Sequence, residues 1–178
     1  MKSISRNISK TRLLFIILSI LCMVVIFFFS SENSTESSQT SGRFVKILLG
    51  HIFPDFTEFS AARQRELIHT TQFIVRKLAH FTIYTTLGLL LSMAMGRRKF
   101  LSRQTLLALT AGAVYAVSDE LHQSLIPGRS CELRDVMIDT GGVLTGIIIS
   151  MVLFFIAKKI RKRRNKRTSP DNKKRAHS

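Results

Sequence analysis

The sequence predicts an all-α integral membrane protein with four transmembrane helices. The chain has 178 residues, of which 46% are hydrophobic, and yet its formal net charge is +16. The hydrophobic residues are collected in long apolar runs, and the charged residues lie in blocks between them instead of being spread over one soluble surface. Each of four runs has about 17–23 residues, which is long enough to cross a hydrocarbon core about 30 Å thick.

The four predicted spans cover residues 13–29, 73–95, 101–122 and 136–157. The first has no charged residue and exceeds the usual apolar region of a signal peptide. No Ala-x-Ala cleavage site follows it, so we expect an uncleaved helix. The second span is less apolar at its start, where Arg76, Lys77, His80 and Tyr84 lie.

The segment between the first two spans is predicted to have two parts. Residues 30–43 are rich in Ser and Thr and lack apolar side chains, which is typical of a flexible exit from a helix. From Phe56 the apolar spacing becomes helical. This pattern favours an interfacial helix that lies on the outer leaflet and leads into the second span.

The distribution of basic residues predicts the orientation. Nineteen of the 27 Lys and Arg residues lie before the first span, between the second and third, or after the fourth. Because Lys and Arg accumulate in cytoplasmic loops, we expect both termini in the cytoplasm. Residues 1–12 would be a cytoplasmic N-terminus, residues 13–157 the membrane domain, and residues 158–178 a basic tail that is disordered beyond about Arg164.

That tail is rich enough in Lys and Arg to suggest nucleic-acid binding. However, it directly follows a predicted span, where basic residues commonly fix topology and attract anionic lipid headgroups. We therefore expect membrane lipids as its partners and no nucleic acid.

Polar residues repeat on one face of three predicted helices, near the outer end of each. The face continues inward through small residues on every helix, and small residues let transmembrane backbones approach closely. Ionisable groups at membrane depth face a bundle interior or a wet cavity. The pattern therefore predicts a polar pocket at the outer leaflet, closed below by tight helix packing. The stripes are Lys77, His80, Tyr84 and Gly88; Asp119, His122 and Gln123 with Tyr115, Gly112 and Ala108; and Asp135, Asp139, Gly142 and Gly146.

A Pro127-Gly128 turn ends the third span and would bring Arg129 over the mouth of the bundle. An Arg in that place could clamp a phosphate or a carboxylate, or it could be solvated or bound to a lipid phosphate. We expect Lys77 and Arg129 to neutralise part of the acidic charge nearby. The predicted ligand-binding residues are Lys77, His80, Tyr84, Asp119, His122, Gln123, Arg129, Asp135 and Asp139.

The same residues admit other chemistry. A His and an acid can run acid–base catalysis, for which the candidates are His80, Asp119, Glu120 and His122, but no nucleophile is evident. A metal could assemble from Asp119, His122 and His80, although the favoured interpretation includes no metal and no cofactor. Buried ion pairs can also simply hold helices in register.

Three strings in the chain resemble the VanZ-like family, which are small bacterial membrane proteins named for a teicoplanin-resistance accessory protein. They are RKLAHFTIYTTLGLLL at residues 76–91, SDELHQSLIPGRSCELRDVMIDTGGVLTG at residues 118–146, and FFFSSE at residues 27–32. One departure is Ile83, where the family pattern often has Glu. If that Glu takes part in chemistry, an acid–base role of His80 is weakened. The matching residues are Lys77, His80, Tyr84, Asp119, Glu120, His122, Gln123, Arg129, Asp135 and Gly142.

The resemblance implies a multi-pass protein of the bacterial plasma membrane, with an envelope function linked to glycopeptide tolerance. It implies this setting more firmly than it implies a reaction. The favoured hypothesis is a pocket that engages an anionic lipid-linked ligand, such as a cell-wall precursor, or a lipoglycopeptide. A hydrolase or transferase acting on a lipid phosphate or glycan, and a structural subunit of a membrane complex, stay open as alternatives.

Overall fold

The computed structural model describes residues 9–32, 34–96, 102–129 and 131–167, and in these residues the chain is helical without strands. It contains five α-helices and one 3-10 turn. They are α1 (Lys10–Ser31), α2 (Ser34–Ile52), the 3-10 turn Phe56–Glu58, α3 (Ala61–Met95), α4 (Arg103–Gln123) and α5 (Leu133–Arg167).

Serine side chains cap three of these helices. Ser9, Ser60 and Ser102 each accept a hydrogen bond from a backbone N–H in the first turn of α1, α3 and α4. Such a cap satisfies one of the four N–H groups that a helix start leaves unpaired. At its other end α3 stops at Gly96, whose φ of 74° is the left-handed conformation that ends many helices.

Three helices, α1, α3 and α5, are long and apolar enough to cross a membrane. They correspond to the first, second and fourth predicted spans. Their outward apolar side chains are exposed, as is expected of lipid-facing positions; they include Leu14, Ile20, Phe28, Leu78, Leu153 and Phe155. The third predicted span forms α4, which has 21 residues. It is less apolar over a membrane-spanning length than the other three, because polar residues interrupt its apolar sequence.

The segment between α1 and α3 differs from its prediction. The expected flexible exit at residues 30–43 is wrong from Ser34 onward, because α2 begins there. Val45 and Leu49 of α2 are buried with Phe56, and this contact fixes a helix whose first turns are poor in apolar residues. The segment after Phe56 does not form a separate interfacial helix, because α3 starts at Ala61 and runs for 35 residues into the membrane.

α5 is also longer than its predicted span of residues 136–157. It begins at Leu133 and continues to Arg167, so the basic residues that follow the apolar run are helical up to that point. The predicted disorder beyond Arg164 is therefore wrong for residues 165–167, and residues 168–178 lie outside the described part of the chain.

The core is a seam of small residues between α3, α4 and α5, as the sequence predicts. A Cβ at Gly88 would overlap the Val143 backbone, and one at Gly146 would overlap the Thr85 carbonyl oxygen. Gly112 of α4 lies against the Val143 side chain in the same way. Val143 is fully buried. α3 and α5 thus pack at backbone distance and α4 packs against the Val143 side chain, which is how transmembrane helices gain van der Waals contact.

Candidate functional site

Asp119 and Tyr84 form the centre of a polar cluster above this seam. The Asp119 Oδ2 atom accepts hydrogen bonds from Tyr84 Oη at 3.0 Å and from Gln123 Nε2 at 3.1 Å. Tyr84 is fully buried and Asp119 is 4% exposed. Because a carboxylate at this depth is costly unless it is hydrogen-bonded, these two donors hold Asp119 in one orientation.

His80 and Asp139 complete the buried part of the cluster. His80 Nδ1 lies 3.7 Å from Asp139 Oδ2, and Asp139 is 2% exposed. One ligand atom from each of His80, Asp119 and Asp139 lies within 4.8 Å of the other two. The three residues come from α3, α4 and α5, so the site exists only where these helices meet.

Two further acids have structural partners. Lys77 and Asp135 form a partly buried ion pair between α3 and α5. Glu120, which is 2% exposed, accepts a hydrogen bond at 2.8 Å from the backbone N–H of Glu132, just before α5 begins. Glu120 therefore fixes the connection from α4 to α5, and Lys77 holds the first turn of α5 against α3.

Arg129 folds back over the cluster, as the Pro-Gly turn predicts. Its Nη1 donates to Gln123 Oε1 at 3.0 Å, and its Nη2 donates to the Phe29 carbonyl oxygen of α1 at 3.5 Å. Burial lowers the pKa of the Arg129 guanidinium from its usual range, and the nearby charge of Arg76 lowers it further. Arg76 and Arg129 thus bring two like charges to the same site, an arrangement that a bound anion would stabilise.

Arg76 and Arg129 stand between two clefts. The first is mainly apolar, has a volume of about 190 Å³, and lies between α1 and α3; its other lining residues are Ile26, Phe29, Glu32, Ala79, His80 and Ile83. The second is polar and opens towards the connection between α4 and α5; besides the two arginines it is lined by Phe73, Lys77, Gln123, Gly128 and Glu132. An apolar cleft and a polar cleft therefore share one pair of cations.

The sequence matches the VanZ/LLP1 family over residues 15–155. The chain belongs to the VanZ/LLP1 family. The matched range contains every residue of the polar cluster and of both clefts. No curated protein and no solved structure matches the chain.

The fold of this VanZ-family chain brings most of the predicted site residues together. Eight of the nine predicted ligand-binding residues line the cluster or a cleft, and the exception is His122. Those eight are Lys77, His80, Tyr84, Asp119, Gln123, Arg129, Asp135 and Asp139. Of the predicted acid–base candidates, His80 and Asp119 lie at the centre, whereas the Glu120 carboxylate is directed at a backbone N–H.

His122 is turned away from the other site residues. Its Nε2 lies 3.1 Å from Ser31 Oγ, and its ring stacks on Phe27 with centroids 4.6 Å apart. A step of three residues rotates the side chain about 60° around the helix relative to Asp119, which is enough to direct it at α1. Of the set Asp119, His122 and His80 that the sequence allows for a metal, the structure brings Asp119 and His80 together, and Asp139 lies with them instead of His122.

Arg76 and the end of α1 belong to the site, although the sequence did not predict them as parts of it. Ser30 is fully buried and accepts a hydrogen bond from Gln123 Nε2 at 3.3 Å, while Glu32 lines the apolar cleft. The signal for these residues was present, because Ser30 and Glu32 belong to the FFFSSE string and Arg76 opens the RKLAHF string. Nothing in either string indicates that the two segments meet.

Proposed function

We propose that this VanZ-family chain binds an amphiphile with an anionic headgroup at the outer face of the bacterial plasma membrane. The observation that carries the proposal is the position of Arg76 and Arg129 between an apolar and a polar cleft. A phosphate between the two guanidinium groups would place an acyl or prenyl chain in the apolar cleft and the rest of the headgroup in the polar one.

The two arginines support an anion at this position. Arg76 and Arg129 line both clefts, whereas Lys77 lines the polar cleft and is paired with Asp135. The Arg129 Nε atom is buried without a hydrogen-bond partner within the described part of the chain. A buried donor of this kind is costly, and a phosphate oxygen would satisfy it.

The ligand class that fits best is a lipid-linked phosphate, such as a membrane-bound cell-wall precursor, and a lipoglycopeptide is the second candidate. Both have an apolar tail and acidic groups in the headgroup. Binding of either would connect the site to the glycopeptide tolerance after which the family is named. We propose a role in glycopeptide tolerance for this chain because it belongs to that family.

The proposal includes four spans with both termini in the cytoplasm. α4 has 21 residues and would extend about 31 Å, close to the thickness of the hydrocarbon core. Its buried residues Ala108, Gly112, Ala116 and Asp119 follow one face along α5 from the seam to the polar cluster. These buried positions extend over about three turns of α4, which supports a crossing.

The natural Cys131 gives a direct test of this topology. It is exposed in the connection between α4 and α5, whereas the other cysteine, Cys22, is half-buried in α1. A membrane-impermeant maleimide added to intact cells should label Cys131 and leave the Cys131→Ser protein unlabelled. A cysteine introduced at Ser178 in the Cys131→Ser background should react only after lysis. Labelling of both positions from the same side would contradict the four-span arrangement.

Ligand binding is tested with purified protein in detergent, titrated with a polyprenyl phosphate and followed by native mass spectrometry. Loss of one charge-assisted contact costs about 1.5–3 kcal/mol, so Arg76→Ala and Arg129→Ala should each weaken binding by about 10- to 100-fold. Arg63→Ala removes the same charge from an exposed position of α3 outside both clefts and should bind like wild type. Phosphatidylcholine tests whether any lipid suffices, and a lipoglycopeptide is titrated in parallel. Wild-type affinity in both cleft variants would refute the proposal.

A further inference from the structure

We propose that His80, Asp119 and Asp139 bind one divalent transition-metal ion inside the helix bundle. The ligand atoms of the three residues already lie within 4.8 Å of one another. Donor atoms around an ion with bonds of about 2.1 Å lie about 3–4 Å apart, so small side-chain rotations would close the site. The three side chains come from three packed helices, which holds the site together without contributions from loops.

Asp139 is the observation that points to a bound cation. This carboxylate is almost completely buried, and its ion-pair contact within the described residues is His80 Nδ1 at 3.7 Å, which is longer than a hydrogen bond. Asp119, a second buried carboxylate, lies beside it. Two buried acids at membrane depth are costly unless a positive charge is shared between them, and Lys77 is already paired with Asp135.

The surroundings of Asp119 resemble the outer shell of a metal site. Its Oδ2 accepts hydrogen bonds from Tyr84 and Gln123, and both donors are buried. Metal-binding carboxylates are commonly oriented in this way by a second ring of hydrogen-bond donors. The Asp119 carboxylate is thus held in place before any ion arrives.

One imidazole and two carboxylates favour a transition metal such as Zn²⁺ or Mn²⁺ over Ca²⁺, which prefers six or more oxygen ligands. Three protein ligands also leave at least one coordination position open, as in catalytic metal sites. His80 lines the apolar cleft that Arg76 and Arg129 border, so the ion would lie next to the space assigned to the amphiphile. An oxygen of the anionic headgroup could then occupy the open position, a consequence that rests on the proposed function.

The test uses full-length protein purified in detergent with a non-chelating tag and stripped with a chelator. Titration with Co²⁺, followed by its visible absorption, should show one bound ion per chain that Zn²⁺ displaces. His80→Gln and Asp139→Asn should each lower the affinity by at least about tenfold. His69→Gln and Asp55→Asn make the same chemical changes at exposed positions and should bind Co²⁺ like wild type.

A measurement on folding accompanies the titration, because a core variant can fail to fold. Zn²⁺ should raise the melting temperature of the wild-type protein, since an ion that binds only the folded state stabilises it. The increase should be absent in His80→Gln. Two results would overturn the ion site. One is a wild-type protein that takes up no Co²⁺ and is not stabilised by Zn²⁺; the other is a His80→Gln protein that takes up as much Co²⁺ as wild type.

Failure of the ion site and failure of lipid binding give different results. Chelator-stripped protein that binds polyprenyl phosphate but takes up no metal would overturn the ion site and leave lipid binding intact. Wild-type protein that takes up one Co²⁺ but binds the lipid no more tightly than Arg76→Ala and Arg129→Ala would support the ion site and overturn the proposed function.

Discussion

Arg129 donates a hydrogen bond to Gln123 at 3.0 Å, and the amide of Gln123 in turn donates to Asp119 at 3.1 Å. The Gln123 side chain therefore connects Arg129, which lines both outer clefts, to Asp119 in the buried cluster. The same amide nitrogen also reaches Ser30, so Gln123 links α4 to α1 as well. A ligand that moves Arg129 would act on the buried cluster through this one residue.

Replacing Gln123 should disturb both the outer clefts and the buried polar cluster. Gln123→Met keeps the length of the side chain but removes the acceptor for Arg129 and one donor to Asp119. Arg129 and Asp119 would each lose a hydrogen bond, which should lower the free energy of unfolding by about 1–3 kcal/mol. Polyprenyl phosphate should also bind several-fold more weakly. Thermal unfolding in detergent and the lipid titration measure the two effects. Gln104→Met, at the start of the same helix, is the control, and equal behaviour of the two variants would contradict the bridging role.

The Lys77–Asp135 ion pair should show strong coupling in a double-mutant cycle. Its side chains are 25% and 18% exposed, so removal of either partner leaves a poorly solvated charge. With Lys77→Met and Asp135→Asn we expect a coupling energy of about 1–3 kcal/mol in unfolding free energy. The Arg134–Glu132 pair, at 59% and 44% exposure, provides the comparison and should give about 0.2–1 kcal/mol. Equal coupling in the two cycles would show that burial does not strengthen the inner pair.

Gly146 should tolerate no side chain. A Cβ there would overlap the Thr85 carbonyl oxygen and the Leu89 backbone nitrogen, so Gly146→Ala must push α3 and α5 apart. We expect a loss of about 1–3 kcal/mol, measured by thermal unfolding in detergent. Gly50→Ala is the matched control, because nothing lies within 4 Å of its Cβ and alanine favours the helix. A Gly146→Ala protein as stable as wild type would contradict the close packing of this seam.

Tyr115 should hold α1 against α4. Its Oη donates to the Met23 carbonyl oxygen at 2.6 Å, a direct hydrogen bond between two helices at membrane depth. Interhelical hydrogen bonds of this kind contribute about 0.6–1.7 kcal/mol, so Tyr115→Phe should lower the melting temperature by a few degrees. Ser124→Ala removes an exposed hydroxyl that bonds to its own turn and should leave the melting temperature unchanged. A shift of equal size in both variants would argue against the role of Tyr115.

Much of the site was predictable because it repeats with the period of a helix. The stripe of Lys77, His80 and Tyr84 keeps one face of α3 polar, and the glycines below mark where another helix must approach. The length of the apolar runs likewise predicts membrane helices, and three of them meet the criteria for spanning. Both the helical period and the length of an apolar run can be read from a single segment, without knowing which other segments lie beside it.

The sequence by itself thus determined the membrane class, the small-residue seam and the faces on which polar residues lie. The tertiary structure alone decided which of those residues meet. His122 turned to α1 while Asp139 joined His80 and Asp119, and Arg76 came to line the same clefts as Arg129. It also decided that α2 forms, since Val45 and Leu49 are buried against Phe56 and residues of α3. The physical reason is that periodicity fixes the direction of a side chain around its own helix, whereas its neighbours depend on how that helix is rotated and placed against the others.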